Sequence, residues 1–343
     1  LRIINLLEGI CRRASYLALL TQYPNALNLV IKLCAASPWL AQYLTAHPIL
    51  LDELLDTQNL YAAPDFVTMQ AQLSQQMLAL NGDVEAQMDA MRHFKHAAIM
   101  RFAAQDLANT LPLETLSDYL SALADIILQI SLQTIWQDFK YKHCDIPKFA
   151  VIGYGKLGSK ELGYGSDLDI IFIYDDEYSG ASEIYARFAQ RISNWFNSQT
   201  NAGLLYETDL QLRPDGNSGL LVSSLSAFMD YQLHKAWVWE HQALTRARFV
   251  AGDANIGSAF EQVRVSVLTK QRDIQPLKKS VFEMREKMRA SHKPKANLSD
   301  ASLNNFQLFD IKQGAGGIID VEFALQFLIL AHAKQYPRLT KNI

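Results

Sequence analysis

The stretch "GYGSDLDIIFIYDDE", residues 163–177, sets Asp167 and Asp169 one residue apart at the mouth of an apolar run. Alternate side chains of a strand share a face, so these two carboxylates point the same way while Leu168, Ile170 and Phe172 point into a core. Carboxylates that close repel one another unless a cation lies between them. A bare Asp-x-Asp also fits the surface end of an ordinary strand, so its surroundings decide. The segment "LLYETDLQLRP", 204–214, repeats the design, with Leu204, Tyr206, Leu210 and Leu212 on one face and Glu207, Asp209, Gln211 and Arg213 on the other. If the two strands are neighbours, Asp209 joins Asp167 and Asp169. Three converging carboxylates suit Mg²⁺, and two such ions about 4 Å apart form the clamp of an in-line phosphoryl-type displacement.

The preceding stretch, "GYGKLGSKELGYGS" at 153–166, supplies glycines that let backbone N–H groups approach phosphates, with Lys156 to neutralise charge. It is not a Walker A loop, since the Gly-Lys-Ser/Thr ending is missing. Gly153, Gly155 and Gly158 match G-x-G-x-x-G, but the acidic strand arrives too early for a ribose-binding residue, so a dinucleotide fold is not indicated.

The 343 residues are 49% hydrophobic and 20% charged, with a net charge of −3, which provides an ample core and no broad basic field for nucleic acid. Cys11, Cys34 and Cys144 lack metal-ligand spacing and read as reduced thiols of a cytoplasmic protein. No membrane association is expected. The most apolar stretch, 119–136, carries Asp125, Gln129 and Gln133, and Glu8, Arg12 and Arg13 interrupt the N-terminal pattern. The absent initiator Met and the abrupt ending "LTKNI" suggest a piece of a longer polypeptide.

Periodicity predicts helix after helix over 1–140. The first stops before Pro24, and short helices begin at Pro24, Pro38 and Pro48. A longer helix is expected over 83–110, with Asp83 as N-cap and a stripe of Val84, Met88, Met91, Ala98 and Phe102, followed by another from Thr115 to Phe139. From 148 the pattern changes to "FAVIG", glycine-rich turns, the strand "LDIIFIY", a helix over 182–199, the strand at 204 and a turn at "PDGNSG". Helices resume near Ser224 and continue through "HKAWVWEHQALTRAR" and, from about 255, to the end. The fold class is therefore α+β, predominantly helical, with a small mixed sheet between two helical regions. The divisions are a helical region at 1–144, a catalytic core at 145–254 and a second helical region at 255–343.

Gly155-Lys156, then Asp-Leu-Asp, then a third aspartate on a later strand resemble the nucleotidyltransferase superfamily that includes DNA polymerase beta. Five long stretches sharpen the likeness: "GYGKLGSKELGYGSDLDIIF", "YETDLQLRPDGNSGLLV", "AWVWEHQALTRARFVAGD", "FDIKQGAGGIIDVEF" and the N-terminal run from Tyr16 to Asp56. Together they are similar to the glutamine synthetase adenylyltransferase/adenylyl-removing family, over almost the whole chain. That family has two related halves, one attaching AMP to a tyrosine of glutamine synthetase and one removing it by phosphorolysis. "GYGKLG" and "WEHQALTRARFVAGD" resemble the attaching half. The resemblance implies ATP as substrate, two Mg²⁺ ions, glutamine synthetase as partner and a nitrogen-signalling regulatory protein acting on the full-length enzyme. It also implies further helix beyond residue 343. Carried onto this chain, it gives Asp167 and Asp169 both metals and Asp209 the catalytic one. Gly155, Lys156, Gly158 and Ser166 fall to the triphosphate, with Arg213 and Lys312 as nucleotide-binding cations. Phosphorolytic removal of AMP, or a non-catalytic nucleotide-sensing module, remain alternatives. One departure is visible: the family reads Asp-x-Arg-Leu-Arg-Pro where this chain has Gln211, which leaves Arg213 as the better cation.

Other residues have two readings. His241 and Gln242 either reach the site or serve as structural hydrogen-bonders, and Arg246 and Arg248 either bind phosphate or pair with local acids. Tyr231, Trp195, Trp237 and Trp239 are expected in the core. His292, Lys293 and Lys295 read as a solvated loop. Three glycines in 314–317 predict a segment, 312–318, that is mobile until nucleotide orders it, with Asp320 and Glu322 opening the next helix.

Overall fold

The computed structural model describes residues 1–11, 14–291 and 310–341. Arg12, Arg13, His292, Lys293 and Lys295 lie outside the described residues. Helices α1 (Arg2–Ile10), α2 (Ala14–Gln22), α3 (Pro24–Ala36) and α4 (Pro38–Ala46) open the chain, and a 3₁₀ segment, Pro48–Leu54, follows. Pro24, Pro38 and Pro48 each occupy a first helical position, where the missing N–H costs nothing. Then come α5 (Thr57–Tyr61), α6 (Phe66–Ala79), α7 (Val84–Leu107) and α8 (Leu113–Gln137). Asp83 caps α7 through the amide of Ala86, as expected. The stripe on α7 is broader than expected, because two cores need it. Ala98, Ile99 and Phe102 enter the cluster on the sheet, Met100, Ala103 and Ala104 enter the N-terminal cluster, and Val84 is exposed.

The sheet begins at β1 (Phe149–Gly153). The glycine-rich turn that follows winds into one helical turn, α9 (Gly155–Gly158), before β2 (Leu168–Tyr174), α10 (Ala181–Asn197) and β3 (Thr208–Asp209). After β4 (Val222–Ser224), α11 (Leu225–His234) and α12 (Val238–Leu244) comes β5 (Arg248–Gly252). Then α13 (Ala254–Leu268), α14 (Ile274–Ser291), α15 (Ile318–His332) and a 3₁₀ segment, Pro337–Thr340, follow. The strand order is β3-β2-β1-β5. β1 is antiparallel to β2 and β5, while β3 and β4 both run parallel to β2 along its other edge. The α+β class with a small mixed sheet is as the sequence indicated.

Three details differ from the sequence reading. The segment 204–213 is not one strand: only Thr208 and Asp209 pair, and the chain leaves the edge of β2 until Val222. Consequently Leu210 and Leu212 do not share a face but pack against different clusters. Arg248, expected at the end of a helix, and 249–252, which the sequence left unassigned, form a strand, because their aromatic and β-branched residues fill the open edge of β1. β2 is buried on both faces. Leu168, Ile170 and Phe172 meet the N-terminal helices and α10, and Ile171 and Ile173 meet α11, α13 and α14.

Helix α8 is long and apolar enough by length and composition to cross a bilayer, contrary to the sequence reading, but 72% of its most apolar window is buried in the fold. The polar residues that interrupt it are its attachments. Asp125 grips Arg248 with two bonds of 2.8 Å, and Gln129 accepts the Gly252 amide at 2.8 Å. All three bonds fasten the helical region to β5.

Candidate functional site

Asp167 ends the loop before β2, Asp169 is its second residue, and Asp209 lies beside Asp169 in parallel register. One carboxylate oxygen from each lies within 4.8 Å of the other two. Asp167 is exposed and the other two are half-buried. Burial first, then the charges of Asp167 and Asp209, push the Asp169 carboxyl up to about 6, against the pull of Arg246 and Lys156. A divalent cation among the three oxygens would remove that repulsion, so the donor set fits a hard, oxygen-seeking ion.

The glycine turn is pressed against the same carboxylate. Gly155 has φ +51°, and a β-carbon there would come 2.2 Å from Asp169 Oδ2. Gly158 is packed tightly too, but inward: its β-carbon would meet the Arg246 carbonyl at 1.8 Å. Lys156 is exposed and its charge acts on Asp169. Ser166 closes a small turn just before Asp167, its Oγ accepting the Gly163 amide at 3.0 Å. Arg213 braces the 210–219 excursion by donating to the carbonyls of Leu210 (2.7 Å) and Gly219 (3.4 Å). Gln211 is exposed, and its amide donates to Asp209 at 2.8 Å.

The segment that carries Asp209 is held from below by α7. Residues 198–207 have little ladder of their own beyond one Thr200–Gly203 bridge. Their carbonyls still need donors once buried. Arg92 donates to Gly203 (2.8 Å), Trp195 (3.0 Å) and Ser198 (2.7 Å). Lys95 donates to Leu204 (3.1 Å) and Leu205 (2.5 Å), and His96 meets the Ala202 carbonyl at 3.1 Å. Burial pushes the Lys95 ammonium down to about 8. The sequence reading missed this triad. Its signal is the crowding of Arg92, His93, Lys95 and His96 into five positions of a mostly buried helix.

A family model described as glutamate-ammonia ligase adenylyltransferase matches residues 27–263. The chain belongs to that family. Relatives called bifunctional glutamine synthetase adenylyltransferase/adenylyl-removing enzyme include one from Chromobacterium violaceum, 56% identical over 99% of this chain and 37% of its own length. Another, from Aromatoleum aromaticum, is 55% identical over 100% of this chain and 35% of its own length. One from Neisseria meningitidis serogroup B is 48% identical over 100% of this chain and 37% of its own. The chain thus spans a little over a third of these curated relatives.

Within this member of the adenylyltransferase family, the remaining candidates divide. His241 is buried, its Nε2 on the Gln232 carbonyl (2.9 Å) and its Nδ1 by Arg272 (3.3 Å), which is a structural arrangement. Arg248 pairs with Asp125, and Arg246 with Glu161 and Glu322. Trp195 and Tyr231 are buried as expected, but Trp239 is half-buried and Trp237 is 69% exposed at the cap of α12. The side chain of Lys312 is exposed, and its amide donates to Asp310. Cys144, read from spacing as no ligand, does meet His143 and Asp176. Asp176, however, already accepts bonds from His143, Lys148, Tyr178 and Tyr185, which fills a carboxylate's capacity.

The Gly155 contact gives a direct prediction. Gly155→Ala should displace the Asp169 carboxylate and destabilise the fold by about 1–3 kcal/mol, from the clash and the left-handed backbone together. Urea unfolding and Mg²⁺ titration by fluorescence check it. Unchanged stability and unchanged Mg²⁺ affinity would contradict it.

Proposed function

We propose that this chain transfers AMP from ATP to a tyrosine of glutamine synthetase, releasing pyrophosphate, and that residues 145–254 form its nucleotidyltransferase core between the flanking helical regions 1–144 and 255–343. The observation that carries the reading is the meeting of Asp167, Asp169 and Asp209 beside the Gly155 turn in a chain of this family. A cytoplasmic setting accords with the free Cys11, Cys34 and Cys144.

Asp167 and Asp169 would hold two Mg²⁺ ions, and Asp209 would share one. When bound, the ions supply charge neutralisation at the α-phosphate and the leaving pyrophosphate. Gly155, Lys156, Gly158 and Ser166 form the triphosphate seat, with Arg213 and Lys312 as the further cations. The tyrosine oxygen attacks the α-phosphorus, the bond from that phosphorus to the β-bridging oxygen breaks, and the phenolic proton passes by way of Asp209 to solvent. Catalysis is then mostly positioning and electrostatic stabilisation. A nitrogen-signalling regulatory protein would act on the full-length enzyme.

A second reading keeps the same residues. The relatives' names include adenylyl removal, and an aspartate trio serves phosphorolysis equally. Labelled ATP, Mg²⁺ and glutamine synthetase decide between them: label should appear on glutamine synthetase and vanish with EDTA. ADP released from adenylylated glutamine synthetase and phosphate, without labelling from ATP, would instead establish removal. Absence of both would overturn the enzymatic reading.

A further inference from the structure

Arg246 is a node between three distant pieces of chain. Its guanidinium donates to Ser159 Oγ through Nε (3.1 Å) and Nη2 (2.8 Å), to Glu161, and through Nη1 to Glu322 at 2.7 Å. Ser159 in turn donates to the Gly155 carbonyl at 2.8 Å, so the fork rests on the glycine turn itself. The Arg246 backbone is locked there too, since its carbonyl occupies the space a side chain at Gly158 would need. A surface ion pair of this kind is usually weak. Here the arginine side chain is only 18% exposed, and its planar fork is filled from several directions.

The partner helix is gripped in register. One turn before Arg246, Gln242 donates to Gln326 at 3.0 Å, one turn beyond Glu322 on α15. Two rungs therefore join the α12 segment to α15. Asp320 and Glu322 are two residues apart, roughly 200° around the helix, so they face opposite ways. Asp320 accepts from Arg285 (2.5 Å), from Arg289 (3.1 Å) and from the Gly316 amide (2.6 Å). Arg285 also donates to the Gln313 carbonyl at 2.8 Å. The first turn of α15 is thus held to α14 on one side and to the glycine turn on the other, and the 312–317 loop hangs from it.

Four of the five N–H donors of Arg246 are committed to Ser159, Glu161 and Glu322, which leaves one for a phosphate and not the two-bond fork that phosphate recognition uses. We infer that Arg246 is a positioning residue: through Glu322 it fixes the 312–317 loop against the Gly155–Ser159 turn, so that both walls of the nucleotide site are set before ATP arrives, in place of the segment mobile until nucleotide orders it that the glycines alone predicted. The role of the loop in holding ATP rests on the proposed function, whereas the mechanical coupling does not. Glu161, the other carboxylate, is 61% exposed and belongs to the glycine side alone, so it should be dispensable for the coupling.

The test is Glu322→Gln and Glu161→Gln in the full-length protein, with two readouts. Hydrogen exchange without nucleotide should show the 312–317 amides of Glu322→Gln exchanging about tenfold faster, with Glu161→Gln like wild type. AMP-transfer kinetics should show KM for ATP about tenfold higher in Glu322→Gln, with kcat within about twofold. Wild-type exchange in Glu322→Gln, or equal loosening by Glu161→Gln, overturns the inference. Loosened exchange with an unchanged KM would overturn the nucleotide part. If the wild-type protein transfers no AMP, the proposed function falls, and the exchange measurement still decides the coupling.

Discussion

Asp169→Asn should abolish AMP transfer and, in the absence of divalent metal at pH 7, make the protein more stable. The two effects have one cause. In the folded protein Asp169 titrates near 6, above the usual carboxylate range, because it is buried beside Asp167 and Asp209. The folded state therefore binds the proton more tightly than the unfolded state. By linkage, the contribution of Asp169 to stability falls as pH rises from about 4 to about 6 and stays low above that. Asparagine removes the charge that causes the loss. With EDTA at pH 7 the variant should melt about 1–3 °C higher than wild type, a gain that shrinks toward pH 4. Added Mg²⁺ should stabilise wild type clearly and the variant much less. Transfer should fall about 10³-fold, since several kcal/mol of charge stabilisation depend on the site. Thermal scans with EDTA or Mg²⁺ and a labelled-AMP assay measure all three. A variant that labels glutamine synthetase at the wild-type rate, or melts lower at pH 7 in EDTA, would remove Asp169 from the site.

Arg92→Met should be the most destabilising of the substitutions considered, by about 3–5 kcal/mol. Arg92 is fully buried and serves the carbonyls of Met88, Trp195, Ser198 and Gly203. Methionine fills much of the volume but leaves those acceptors without donors. Arg92→Lys should recover little, because an ammonium cannot reach the spread of carbonyls that the fork spans. The damage should extend to Asp209, a few residues beyond the segment that Arg92 anchors. Urea unfolding gives the stability loss, and a drop in Mg²⁺ affinity well below the melting temperature reports the effect on Asp209. A loss under about 1 kcal/mol would show that water replaces the guanidinium at these carbonyls.

The aspartate trio was legible in the sequence because strand geometry is local. Period-two alternation, carried one residue ahead of β2, puts Asp167 on the side of Asp169, and the turn before "SDLD" reveals itself through glycine. The helical stretches were legible for the same reason, with Pro24, Pro38, Pro48 and Asp83 marking their starts. Tertiary structure alone decided how many residues of 204–213 pair, because edge pairing depends on what β2 offers, and that edge is shared between Asp209 and Val222. It also decided that "RFVAG" is a strand, since only the free edge of β1 makes pairing better than helix there. Asp125 and Gln129 read as interruptions of an apolar helix, and the fold turns them into the fastening of that helix to β5. Arg246 could be assigned to phosphate or to acids with equal reason until Ser159, Glu161 and Glu322 met around it, from positions up to 87 residues away along the chain. Backbone periodicity fixes which side of an element a residue faces. Which distant charge waits there depends on packing, and no spacing along the chain encodes it.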